Sequence, residues 1–211
     1  MNFFSKLKFF LRKPKVIIVV GKDRIRIKKT ICQILKHPKI DRDILIFEAK
    51  LDSDSEAEEL KWVIKSSKLP ILVIDRISSI PFHFAAFDKE EERIKRVEEL
   101  AKQLPRFGCL IANLDDEKIR KIKAGPDVKK IGFGFDKGAD LRATDVYSQS
   151  GINFKVNYQG SFVPIWLEDA SEKEQIYSAL AAIAVGVILD LNLVEISQIL
   201  KDFSFSTQYG Q

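Results

Sequence analysis

Histidine and cysteine are scarce in this sequence, with two of each in 211 residues. No Cys/His group has the paired spacing of a zinc site, so no zinc is expected. Cys32 and Cys109 stand far apart in segments that read as core, which fits a reducing, cytoplasmic compartment. Long apolar runs are missing too. The longest suit a buried strand or core helix and fall short of the roughly 20 residues a membrane-spanning helix needs. The first residues hold no apolar stretch leading to a small-residue cleavage site, so no secretory signal is expected. Acidic residues are nearly absent from residues 1–30, where ten Lys/Arg face Asp23 alone. That segment carries +9, and with a net charge of +5 the remainder carries −4. Such a lopsided charge points to an anionic contact or to a solvated basic surface.

What is present is ordinary for a globular α/β protein: 45% hydrophobic and 31% charged residues. Val16–Val20 is a β-branched run ending at Gly21 and reads as a buried parallel strand. Ile25, Ile27, Ile31, Ile34 and Leu35 follow at helical spacing until His37-Pro38 stops the helix. Further strands are expected at 44–48, 69–74, 109–112 and 129–133, with helices from Asp52, over 89–104 and over 116–123. This alternation implies a mostly parallel sheet with helices on both faces. Segments 143–148, 152–158 and 162–167 are short, alternate polar with apolar, and read as antiparallel strands at the sheet edge. Two helices, 171–190 and 193–203, close the chain. The expected organisation is a basic amphipathic segment at 1–13, one α/β domain over 15–205 and a tail at 206–211.

A strand that runs through glycine into a helix is where α/β proteins bind phosphate, on backbone N–H groups and the positive helix end. The working loop adds a second glycine and a lysine. Here it reads Gly21-Lys-Asp-Arg-Ile-Arg-Ile-Lys-Lys-Thr30, and the short register puts Arg24, Ile25 and Arg26 at the Gly-Lys-Thr positions. Arginine there obstructs the approach of phosphate to backbone, and isoleucine removes the charge that meets the outer phosphates. Lys29-Thr30 offers a Lys-Thr pair only if the loop is longer. The candidate phosphate-binding residues are therefore Gly21, Lys22, Lys29 and Thr30.

Three later segments carry a resemblance: Leu104-Pro-Arg-Phe-Gly-Cys-Leu-Ile-Ala-Asn-Leu-Asp-Asp116, Phe133-Gly-Phe-Asp-Lys-Gly-Ala-Asp-Leu-Arg-Ala-Thr-Asp-Val146, and Tyr177-Ser-Ala-Leu-Ala-Ala-Ile-Ala-Val185. In this order they resemble the central ATPase domain of the Mur ligases, the peptidoglycan amide-bond ligases, most nearly the branch that adds the terminal dipeptide. The resemblance runs from about Lys15 to Gly210 and implies a P-loop NTPase-like fold, ATP and Mg2+ as cofactors, and several site residues. Glu48 matches the family's magnesium-holding acid, His83 its histidine after the third strand, and Asn113, Asp115 and Asp116 its "N.DD" segment. Alternative readings of these residues are a strand end, a loop histidine and a helix start.

The departures are equally plain. The phosphate-loop glycine and lysine are gone, and Val97 (or Lys95, with an offset) stands at the family's modified lysine. The adenine-contacting "HN..N" reads Glu174-Gln-Ile-Tyr-Ser178, and the family's flanking domains are not expected in this chain.

Finally, Phe3, Phe4, Leu7, Phe10 and Leu11 share one helical face, with Lys6, Lys8, Arg12 and Lys13 largely elsewhere. Such a segment can lie on an anionic membrane surface or dock on a partner or on its own domain. No nucleic-acid reader motif accompanies it, so nucleic acid is not an expected partner.

Three functions follow. The first is a degenerate, non-catalytic Mur ligase-like scaffold or regulator in envelope synthesis, near the inner membrane face. The second is an ATP-dependent amide ligase subunit, with a protein partner supplying the missing domains. The third is a basic membrane-surface module.

Overall fold

The computed structural model describes residues 3–77 and 84–205, with side chains from Lys6 and omitting those of 84–88. His83 and the tail beyond Phe205 lie outside the described residues, as do the side chains of Phe3 and Phe4. The strands form an eight-stranded, mostly parallel sheet in the order β2-β1-β3-β4-β5-β6-β7-β8. The chain divides into two compact units: residues 1–24, 43–112 and 116–130, and residues 25–42, 113–115 and 131–211.

In the first unit, β1 (Lys15–Val20) lies between β2 (Ile44–Ala49) and β3 (Leu69–Ile74), parallel to both. Its Val/Ile run is buried throughout, as a strand covered on both faces requires. β4 (Cys109–Asn113) extends the parallel set beside β3. Helix α3 (Asp54–Ser66) starts at an N-cap Ser53 whose hydroxyl accepts from the Glu56 amide, and it buries Ala57, Leu60, Val63 and Ile64. Helix α4 (Phe84–Lys102) buries Val97 and Leu100, and α5 (Glu117–Arg120) is a single turn capped by Asp116. Helix α1 (Phe3–Arg12) rests on α3 through Phe9 and Trp62, ring centroids 5.3 Å apart.

The second unit holds most of α2 (Arg24–Ile34), the end of β5 (Lys129–Gly134), and the strands β6 (Leu141–Ser148), β7 (Ile152–Tyr158) and β8 (Ser161–Leu167). It also holds α6 (Lys173–Ile188) and α7 (Leu193–Lys201). As expected, β6, β7 and β8 form an antiparallel set at the sheet edge, and β6 joins it to β5 by a short parallel pairing. That parallel pairing is confined to Phe133↔Leu141 and Gly134↔Arg142. The intervening loop is pinned by Asp140, which accepts from the Gly132 amide at 2.7 Å, and by Arg142, which donates to the Phe135 carbonyl at 3.2 Å. β8 closes the sheet and carries Pro164 opposite Lys155. Cys32, read as core from sequence, is only half-buried on α2. Cys109 is buried. Among the described residues no helix is long and apolar enough to cross a membrane.

Candidate functional site

β1 ends at Val20, and α2 begins at Arg24, so only Gly21, Lys22 and Asp23 connect them. This turn closes on the end of β3. Gly21 has φ of +128°, and a Cβ there would lie 2.9 Å from the Asp75 carbonyl carbon, so glycine is required for contact with the protein's own backbone. The Lys22 amide donates to the Arg76 carbonyl at 2.8 Å. The Asp23 amide points at Oδ2 of the fully buried Asp75, 3.4 Å away. Arg76 in turn holds Asp23 in an ion pair at 2.7 Å, and Arg24 folds back towards the Gly21 carbonyl at 3.5 Å. The amides that would cradle a phosphate face protein acceptors, and a carboxylate supplies the negative charge favoured at a helix N-terminus.

Lys29 and Thr30 sit in the second turn of α2, away from this loop, which corrects the suggestion of a longer loop carrying a Lys-Thr pair. Thr30 is buried and its hydroxyl donates to the Arg26 carbonyl at 3.0 Å, while Lys29 is exposed. Arg26, at the threonine position of the short register, pairs with Glu172 at 3.2 Å. Ile25, at the lysine position, is 50% exposed.

Asn113 and Asp115 are brought together, but for a local purpose. Asn113 is buried, and its Oδ1 accepts from the Asp115 amide at 3.0 Å. The Asp115 carboxylate accepts from the Phe135 amide at 2.9 Å, the Asp136 amide at 2.9 Å and the Tyr177 hydroxyl at 2.8 Å. Gly134, with φ of +150°, leaves the carboxylate room: a Cβ there would come within 2.6 Å of Oδ1. Phe135 and Tyr177 meet edge to face at 5.4 Å, and Lys173 lies 4.5 Å over the Phe135 ring. Asp116 caps α5 through the Lys118 and Ile119 amides.

Glu48 stands exposed near the end of β2, level with Val19 of β1. Among the described residues no group of three His, Cys, Asp or Glu is set to hold a metal ion. Val97 is buried on the inner side of α4, and Lys95 instead lines a groove of about 360 Å³ between α3 and α4 with Lys61 and Arg96. Sequence reading missed Asp75, Arg76 and the role of Tyr177. The available signal was a charged pair closing the otherwise apolar run Leu69–Ile74.

The sequence matches the Mur ligase middle domain family over residues 7–186. It is 33% identical over 129 residues to a UDP-N-acetylmuramate–L-alanine ligase of Persephonella marina, covering 60% of this chain and 27% of that protein. The fold is similar to that of MurF from Acinetobacter baumannii, with a TM-score of 0.71, 17% identity, and coverage of 93% of this chain and 47% of that one. A MurF ligase from Thermotoga maritima in complex with ADP gives a TM-score of 0.71 at 16% identity, covering 92% of this chain and 50% of the other. Sequence similarity thus reaches a ligase named for adding L-alanine, while the likeness to MurF is one of fold. The chain spans about a quarter of the curated relative and half of these structures. With more than half its length matched, this chain belongs to the Mur ligase middle domain family.

Proposed function

We propose that this domain serves peptidoglycan synthesis, on the cytoplasmic side, by binding as a scaffold or regulator rather than by turning over ATP. A nucleotide is the group its fold implies, given the ADP complex of the Thermotoga neighbour. The residues present do not fit its phosphates. One observation carries this reading: two amides of the turn, at Lys22 and Asp23, face the Arg76 carbonyl and the Asp75 carboxylate. A phosphate would have to displace both and then sit beside Asp75. A carboxylate at such a distance repels an anion, and the Arg76 guanidinium 3.9 Å from Asp75 offsets part of that charge. Asp115 and Asn113, the other nucleotide candidates, are likewise engaged by the fold.

The test is calorimetric titration of the full chain with ATP and magnesium. No binding heat up to about 1 mM nucleotide is the expected result. A second reading, an ATP-dependent amide ligase or ligase subunit with an altered nucleotide site, is favoured by the sequence similarity to a named ligase. A micromolar dissociation constant that disappears in Glu48→Ala would support that reading and overturn the first.

A further inference from the structure

Helix α1 meets its unit along one side. Phe9 is 5% exposed and packs on Trp62, Lys6 Nζ lies 5.4 Å from the same ring, and Arg12 pairs with Asp43 at 2.6 Å. At about 100° per residue, Leu7 and Leu11 fall opposite Phe9, and Phe10 borders Leu7 on the same exposed arc. They are 46%, 52% and 74% exposed. Single exposed hydrophobic residues are normal, but three adjoining ones within two helical turns form a patch.

Cations border that patch. Lys8 is exposed on one flank, and Lys13 lies on the other with its Nζ 5.7 Å from the Phe10 ring. The exposed Lys68 lies near the C-terminal end of α1, its amide donating to the Pro14 carbonyl at 3.0 Å. No acidic residue precedes Asp23 in the chain.

We propose that this outward face of α1 binds the surface of an anionic lipid bilayer. Leu7, Phe10 and Leu11 enter the headgroup boundary while Lys8, Lys13 and Lys68 meet lipid phosphates. Charge selects this occupant over others. A second copy of the same face would bring like charges together, and the helix's own domain is already engaged by the opposite side, through Phe9. Because Phe9 and Arg12 keep their contacts, α1 binds without leaving the domain. The interaction is independent of whether the turn after β1 takes a nucleotide.

The test is co-sedimentation of the full chain with vesicles of phosphatidylcholine, with or without about 30% phosphatidylglycerol. The expected result is roughly tenfold more protein bound to the anionic vesicles, with most of the difference lost near 0.5 M salt. The triple variant Leu7→Ser/Phe10→Ser/Leu11→Ser keeps Phe9 and should retain its melting curve while losing binding about tenfold. As a second, less invasive variant, Lys8→Glu/Lys13→Glu should remove the preference for anionic vesicles. Phe10→Trp should shift its emission to the blue when anionic vesicles are added. Equal binding to both vesicle types, or binding unchanged in the triple variant, overturns the proposal. So does a concentration-dependent dimer, abolished by the triple variant, in a chain that binds no vesicle.

Discussion

The carboxylate of Asp115 takes a hydrogen bond from the Tyr177 hydroxyl and two more from the Phe135 and Asp136 amides. Hydrogen bonds to a charged acceptor contribute about 1.5–3 kcal/mol each. Tyr177→Phe should therefore lower unfolding free energy by about 2 kcal/mol in urea denaturation. Asp115→Ala should cost more, because two amides lose their acceptor as well. A negligible effect in both would mean the cluster is not a structural tie. Cys109 makes a second prediction. Burial pushes its thiol up to about 12, and the opposing pull of the Lys129 charge is smaller. Its folded value lies above the ordinary 9.0, so the protonated thiol's contribution to stability is complete below pH 9.0 and is lost as pH rises towards 12. Cys109→Ala should therefore lose less stability than the parent chain across that window, measured by denaturant melts at stepped pH. At neutral pH Cys109 should label with a thiol reagent only as fast as the chain unfolds. None of these ties could be read from sequence. Tyr177 lies 62 positions from Asp115, and Asp75 lies 52 from Asp23, whereas local pattern reports only near neighbours.

Elements were more legible than partners. The run Val16–Val20 and the Ile spacing of 25–34 gave β1 and α2 because burial imposes periods of its own on strands and helices. The short parallel pairing of β6 with β5 was not legible, since alternation along a strand is the same whichever way its neighbour runs. Helix α1 was half legible. Its wide apolar arc was evident, but Phe9 on the opposite side is the residue that docks, and a short helix with phenylalanine on both sides does not say which is buried. Helix α7 allows a test at this scale. Asn192 caps it through the Val194 and Glu195 amides, and Glu195 answers by accepting from the Asn192 amide at 3.0 Å. Asn192→Ala should cost about 1 kcal/mol, read as a lower melting temperature. Lys39 and the Asn192 amide hold the Glu195 carboxyl below its ordinary 4.5. That contribution is present above pH 4.5 and fades as pH falls through the lowered value, so Glu195→Gln should flatten the acid limb of the stability profile.

For the whole molecule, the alternation of strand and helix fixed a mostly parallel sheet, and the order of three motifs fixed the family. What remained hidden was which contacts Lys22, Asp23, Asn113 and Asp115 make within the fold, because contacts are not residue types. If the turn after β1 takes no nucleotide, ATP with magnesium at about 1 mM should leave the melting temperature unchanged, since only a ligand that binds the folded state raises it. The last strand carries a different consequence. β8 ends the sheet with Phe162 and Trp166 exposed, a profile that invites another chain to add a strand. Pro164 sits between them without an N–H to offer, which interrupts any growing ladder. Pro164→Val would restore an unbroken, sticky rim, and the variant should form light-scattering aggregates at concentrations where the parent stays clear. In that sense one ring guards the solubility of the whole sheet.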